Sequence, residues 1–243
     1  MQMLGEDIVL LALRQDGRFH SAAQLRLALS GSELVQLAAA RRITVDGGRV
    51  TVLDDASTGD ARLDAALVDL RRSRRAPKAS DWVARARAHH VESYLSVLAA
   101  AGVVRAERRK ALGLLPITRW LTVDPGPGDG ARARLDALAA TDEPAEAVRA
   151  ALGGLVCAIG LDRALYPGRE GKAARRRLKL LAERDPASRA VGSAVEAAVD
   201  ASVEAAVEAS VHAAITASVH ATHHAVTVGG HDGGAAGAGG GHH

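Results

Sequence analysis

The chain has 243 residues, 48% of them hydrophobic and 2% aromatic, enough for a sizeable aliphatic core and too poor in rings to grip single-stranded nucleic acid by stacking. The formal net charge is +3, but no Lys or Arg follows Arg189, and the first 190 residues carry 31 basic against 23 acidic side chains, a net +8. A basic body calls for an anionic partner, membrane or nucleic acid, or else for a plainly solvated surface.

The first element is a helix in GEDIVLLALRQDGR: Ile8, Leu11 and Leu13 fall near helical spacing, Glu6 and Asp7 suit its start, and Asp16-Gly17 ends it. MQMLGEDIVLLALRQDGRFH has no basic leader and does not read as a signal peptide. A second helix, SGSELVQLAAARR, is expected to begin at a capping Ser and to end in two arginines that suit a helix C-terminus. RITVDGGRVTVLD reads as a hairpin around Asp46-Gly47-Gly48. Ser57 or Thr58 is expected to cap the next helix, with Asp60 as the acid of a capping box and Leu63, Leu67 and Leu70 as its inner face. Ala76 to Ser80 read as linker.

A long helix from Asp81 to Ala101 follows, stopped by Gly102, and VVRAERRKALGLLPITRW reads as a second hairpin. LVQLAAARRITV and YLSVLAAAGVVRA suggest a repeated helix-hairpin unit. DPGPGDG, Asp124 to Gly130, is expected to be a loop, and the segments around ARLDALAATD, EAVRAALGGLVCAIGLDRAL and GKAARRRLKLLAERD to be helices. Cys157 reads as a small core residue. From Val195, Val or Ile recurs every fourth residue, which makes a long Ala-rich helix whose apolar stripe drifts and fits no coiled coil. The Gly and His residues of 229–243 read as a disordered tail after a domain of 1–228. The chain has no run of about 18 apolar residues, so a spanning helix is not expected. Its excess of Arg over Lys and its many Ala suggest a GC-rich bacterial genome.

The order LGEDIVLLAL, SGSELVQLAAARRITV, ASTGDARLDAALVDL, LAAAGVVRAERRKALGLLPITRW, DRALYPGREGKAARRRLKLLAERDP resembles the Golgi phosphoprotein 3 family in its shorter bacterial form, from about Met3 to Val199. The resemblance implies a single, mainly α domain with short β-hairpins, one protruding, and a non-catalytic peripheral membrane adaptor that binds phosphatidylinositol 4-phosphate on the cytoplasmic face of a membrane. In eukaryotic members it also implies recruitment of glycosyltransferases through their cytoplasmic tails; it implies no cofactor. The family's lipid pocket transfers poorly. Its Trp and first Arg fall at Ser21 and Ser30, and its other two arginines near Ala88 and Val91, so none is retained. Arg26, Arg85, Arg87, His89 and His90 stand close by as candidate replacements for phosphate contact.

The second hairpin falls where the family touches the membrane, which makes Arg105, Arg108, Arg109, Lys110, Leu112, Leu114 and Leu115 the candidate contact residues. At about 1 kcal/mol per cation near an anionic surface, Arg105, Arg108, Arg109 and Lys110 supply about 4 kcal/mol. A Leu fully removed from water adds roughly 1.5–3 kcal/mol. The alternative is that the leucines pack on the body and the arginines are merely solvated.

Helices followed by a hairpin also describe a winged-helix DNA binder, but Ser30, Ser32, Glu33 and Gln36 would make a weak phosphate-gripping face. GREGKA, Gly168 to Ala173, lacks the first Gly and the Ser or Thr of a phosphate loop. His89-His90 and the tail histidines lack the Cys or carboxylates of a structural metal site. No catalytic triad motif is present, and no nucleic-acid partner is expected.

Overall fold

The computed structural model describes residues 3–85, 89–111, 115–141, 145–184, 189–205 and 209, without the side chains of 110, 111, 115 and 116. The chain divides into one unit of Met1–Asp200 and another of Ala201–His243. In the second unit the described residues are helical; the tail at 229–243 and the period-four pattern beyond 209 lie outside the described residues.

The first unit is mainly α with two separate β-hairpins, as the sequence predicts. Its centre is α2, Ala22–Ala39, buried on every side from Leu27 to Leu37; a helix so enclosed needs partners all round. They are α1 (Leu4–Ala12), α3 (Ala61–Arg72), α4 (Ala79–Ala84), α5 (His90–Ala100) and α7 (Ala147–Ala158). Gly31 lets this happen: a Cβ there would lie 2.7 Å from Val195 and 2.9 Å from Leu155. Beyond α7, α6 (Gly126–Ala140) and α9 (Lys172–Arg184) complete the bundle, with α8 (Leu161–Leu165) between α7 and α9 and a further helical segment over 189–200.

Several boundaries differ from the sequence expectation. Ser30 does not start α2; the helix begins after Ser21, in the left-handed region at φ 51, and Ser30 and Ser32 sit in its interior. Their hydroxyls find buried partners there, Ser30 at His90 and Ser32 at the Leu29 carbonyl. Asp60 itself caps α3, accepting from the backbone N–H groups of Arg62 and Leu63, while Ser57 and Thr58 donate to Asp64. The expected helix from Asp81 to Ala101 is two helices, α4 and α5, with Arg85 already out of helix geometry. DPGPGDG is not a loop throughout, for α6 starts inside it at Gly126; proline fits a first helical turn, and Asp124 Oδ1 accepts from the Gly126 N–H at 2.9 Å.

Both hairpins are antiparallel. β1 (Ile43–Asp46) and β2 (Arg49–Val52) are joined by Gly47 and Gly48, both at positive φ, the tight two-residue turn that matches strand twist. β3 (Val104–Ala111) pairs with β4 (Leu115–Thr122) from Val104↔Thr122 to Ala111↔Leu115. The expected linker at Ala76 to Ser80 is instead clamped to the first hairpin. Val50 N–H donates to Pro77 O at 2.9 Å, Ala79 N–H to Gly48 O at 2.8 Å, and an Arg49 guanidinium nitrogen to Ala76 O at 3.0 Å.

Candidate functional site

Two of the polar residues buried on α2, Ser30 and Glu33, line one cleft. Ser30 and Glu33 meet His90 from α5 around a cleft of about 220 Å³, whose other walls are Trp82 and Arg85 from α4 and its end, and Asp69 and Ser73 from the end of α3. Ser30 Oγ lies 3.3 Å from His90 Nδ1, and His90 Nε2 lies 2.8 Å from Glu33 Oε1. All three side chains are almost fully buried, at 2%, 3% and 1% exposure for Ser30, His90 and Glu33, and such groups persist inside a protein only when they satisfy one another. The order Ser, His, Glu resembles a hydrolase relay. Ser30, however, stands mid-helix, where its own N–H belongs to the helix ladder, so the site offers no pair of free backbone donors to an oxyanion. The relay reads as the polar floor of the cleft.

The residues singled out by sequence are only partly brought together. Arg85 and His90 line the cleft, as does Ser30. Arg26 is half-buried one turn before Ser30 on α2 and does not line it; His89 is exposed at the start of α5; Val91 is half-buried against the core. Ser21 sits at the α2 N-terminus, and Arg87 and Ala88 lie outside the described residues. Among the described residues the cleft is lined by two carboxylates, Glu33 and Asp69, and by the guanidinium of Arg85.

A cationic groove that sequence reading missed adjoins this cleft and shares Ser73 and Arg85 with it. About 360 Å³ in volume, it brings Arg49 from β2, Arg74, Arg75 and Lys78 from the clamped loop, and Arg85 together, with Asp81 the one carboxylate among its lining residues. Its signal in the sequence is the run RRSRR followed by Lys78, which straddles the end of α3 and the segment expected to be linker. A cleft of about 440 Å³ between α1, α2, α6 and α7 is of another kind: it is mainly apolar, and Arg134 is tied to Asp7 at 2.6 Å.

Hairpin β3–β4 is anchored at its base. Trp120 N–H donates to Gly17 O at 3.1 Å, and Arg119 donates to Asp16 O at 2.6 Å. Gly17 is at φ 75, and a Cβ there would lie 3.0 Å from the Arg119 Cβ, so the close approach and the backbone conformation both require glycine. Arg105, Arg108 and Arg109 are exposed on β3. Arg109 bonds Glu107 at 3.0 Å, whereas the side chains of Arg105 and Arg108 have no partner among the described residues. Leu112 and Leu114 lie outside the described residues, as do the side chains of Lys110 and Leu115.

The rival chemistries find little here. Ser30, Ser32, Glu33 and Gln36 are buried, so the helix a winged-helix protein would lay in a DNA groove presents none of them. Burial pushes the Cys157 thiol up to about 12, far from a reactive thiolate. Among the described residues no group of three His, Cys, Asp or Glu is placed to hold a metal ion, and no helix is long and apolar enough to cross a membrane.

No curated protein matches the chain. The family model described as Golgi phosphoprotein 3 (GPP34) matches residues 4–201, nearly the whole first unit, with both hairpins and every named residue of the cleft. The chain belongs to the Golgi phosphoprotein 3 family.

Proposed function

We propose that the chain is a non-catalytic peripheral membrane adaptor, held on the cytoplasmic face of a membrane by anionic lipid, with phosphatidylinositol 4-phosphate the headgroup that family membership suggests. One observation supports it most: exposed Arg105 and Arg108, without partners among the described residues, stand on a hairpin fixed to the body at its base. Cations held at a surface without internal partners lose nothing by pairing with lipid phosphates, and each contributes about 1 kcal/mol there, screened by salt. Cytoplasmic tails of membrane proteins are the partners an adaptor of this kind gathers.

Liposome co-sedimentation tests the reading. The intact chain is expected to sediment with phosphatidylglycerol vesicles at low salt and to be released by high salt or by neutral vesicles. A variant with Arg105→Gln, Arg108→Gln, Lys110→Gln, Leu112→Ser and Leu115→Ser is expected to stay in the supernatant. An intact chain that binds no anionic vesicle overturns the proposal.

A further inference from the structure

We propose that the cleft between α1, α2, α6 and α7 binds an uncharged acyl compound of medium chain length, its hydrocarbon lying on Leu4, Leu138, Val148 and Leu152 and its carbonyl oxygen accepting from a guanidinium of the wall. The site shares no described lining residue with the Ser30–His90 cleft or the cationic groove, and it does not depend on the membrane reading.

The first observation is why the space exists. α2 ends at Ala39, with Ala40 as its cap, and both line the cleft, so this helix end sends nothing larger than a methyl group over the leucines. Leu4, Leu138 and Leu152 are core residues on the floor of that gap. Protein interiors are close-packed, so about 440 Å³ of open space against core leucines is an exception. Its size lies in the range of small-molecule sites, which are lined mainly by apolar side chains with a few polar groups that fix orientation.

The second is how the polar groups of the lining are engaged. Asp7 takes Arg134 on both oxygens, Oδ2 accepting from Nε at 3.2 Å and Oδ1 from Nη2 at 2.6 Å. Gln36 accepts from the Leu4 N–H at 3.2 Å and donates to the Ser32 carbonyl at 3.3 Å. Arg149 is exposed in the first turn of α7 and has no partner among the described residues, and the Nη1 of Arg134 is likewise unused. The charges of the described lining residues cancel, Asp7 and Glu146 against Arg134 and Arg149. An ion entering the cleft would therefore leave water without a net counter-charge, whereas an uncharged chain gains by leaving it. The donors left over are guanidinium N–H groups, while the oxygens of Asp7 and Gln36 are taken and Glu146 stays exposed to water. The polar group that fits is an acceptor without a charge, a carbonyl or ester oxygen.

The test is displacement of Nile red, an uncharged apolar dye with a carbonyl oxygen, from the full chain, followed by the shift of its emission. The cleft variant is Ala40→Trp, an exposed position whose new indole occupies the mouth, and its thermal midpoint is checked against the intact chain. Ala39→Trp repeats the test from the neighbouring position. The intact chain is expected to bind the dye and methyl octanoate to displace it, and both variants to bind the dye at least roughly tenfold more weakly. Octanoate and octylammonium are expected to compete at least about tenfold less well than the ester, and octyl chloride, which offers no acceptor oxygen, also less well. The hairpin variant described above is expected to bind the dye unchanged. No dye binding by the intact chain, full binding by both cleft variants, or binding lost in the hairpin variant overturns the proposal. Octanoate or octylammonium competing as well as the ester overturns the choice of an uncharged ligand, and octyl chloride doing so overturns the role of the guanidinium donors.

Discussion

Arg41 and Gly102 hold the same place at the ends of two helices. Each stands in the left-handed region, at φ 57 and φ 76, two residues beyond α2 and α5. In each case the next residue donates back five positions, Arg42 to Leu37 O and Val103 to Leu98 O, and a hairpin strand follows directly. The unit read from LVQLAAARRITV and YLSVLAAAGVVRA is therefore a repeated helix end, a Schellman cap with glycine in one copy and arginine in the other. A non-glycine residue in this region costs of order 1 kcal/mol. Arg41→Gly is expected to raise the free energy of unfolding by about 0.5–1 kcal/mol, and Gly102→Ala to lower it by about the same, in urea titrations followed by circular dichroism.

The Glu33–His90 pair makes a second prediction. Both side chains are almost wholly buried and 2.8 Å apart, so removing the acceptor strands a polar ring atom where water does not reach. Glu33→Ala is expected to cost about 1–3 kcal/mol of stability. Glu33→Leu combined with His90→Phe is expected to cost less than the two single changes added together, because neither leaves the other unpaired. Strict additivity in that cycle would count against the coupling.

Asp60 sets an acid limit. Its burial favours the neutral acid, but the Arg62 guanidinium and the backbone N–H groups of Arg62 and Leu63 outweigh it and hold the carboxyl below its ordinary value of 3.8. A carboxyl whose pKa is lower folded than unfolded stabilises the fold above the unfolded value and loses that contribution as pH falls through the folded one. Asp60→Asn is expected to be about 1 kcal/mol less stable at neutral pH, with the gap closing below about pH 4. Thermal midpoints of both chains from pH 7 to pH 2.5 check this.

Gly17 fixes the second hairpin. Gly17→Ala puts a Cβ against the Arg119 Cβ and the Trp120 carbonyl at a φ that alanine resists. The expected outcome is a loss of about 1–2 kcal/mol in local stability. Hydrogen exchange at the Trp120 amide, which donates to Gly17 O, is expected to speed up markedly while amides within α2 stay protected.

Much of the architecture was legible because the hydrophobic period changes where the structure changes. Leu63, Leu67 and Leu70 turn inward on α3, and Asp46-Gly47-Gly48 make the tight turn that they spell. What failed has physical causes. Ser30 looked like a cap because serine competes for backbone bonds, yet a buried histidine from a segment 60 residues away outbid the helix end. The α4–α5 break carries no Gly or Pro, and apolar spacing runs across it. In DPGPGDG the breakers stand at a helix start, the one place where proline is welcome. Closeness in sequence reaches Arg85 and His90 in the cleft, whereas Arg49 and Lys78 face each other only because β2 pairs with the loop.

The clamp between β2 and loop 73–78 has an evolutionary consequence. Two of its three bonds join backbone to backbone, Val50 to Pro77 and Ala79 to Gly48, and are indifferent to the side chains the loop displays. Arg74, Arg75 and Lys78 point to solvent and support nothing in the core. Substitutions there leave the core packing untouched, so the charge this loop displays is free to drift, be selected or be redesigned without putting the scaffold at risk.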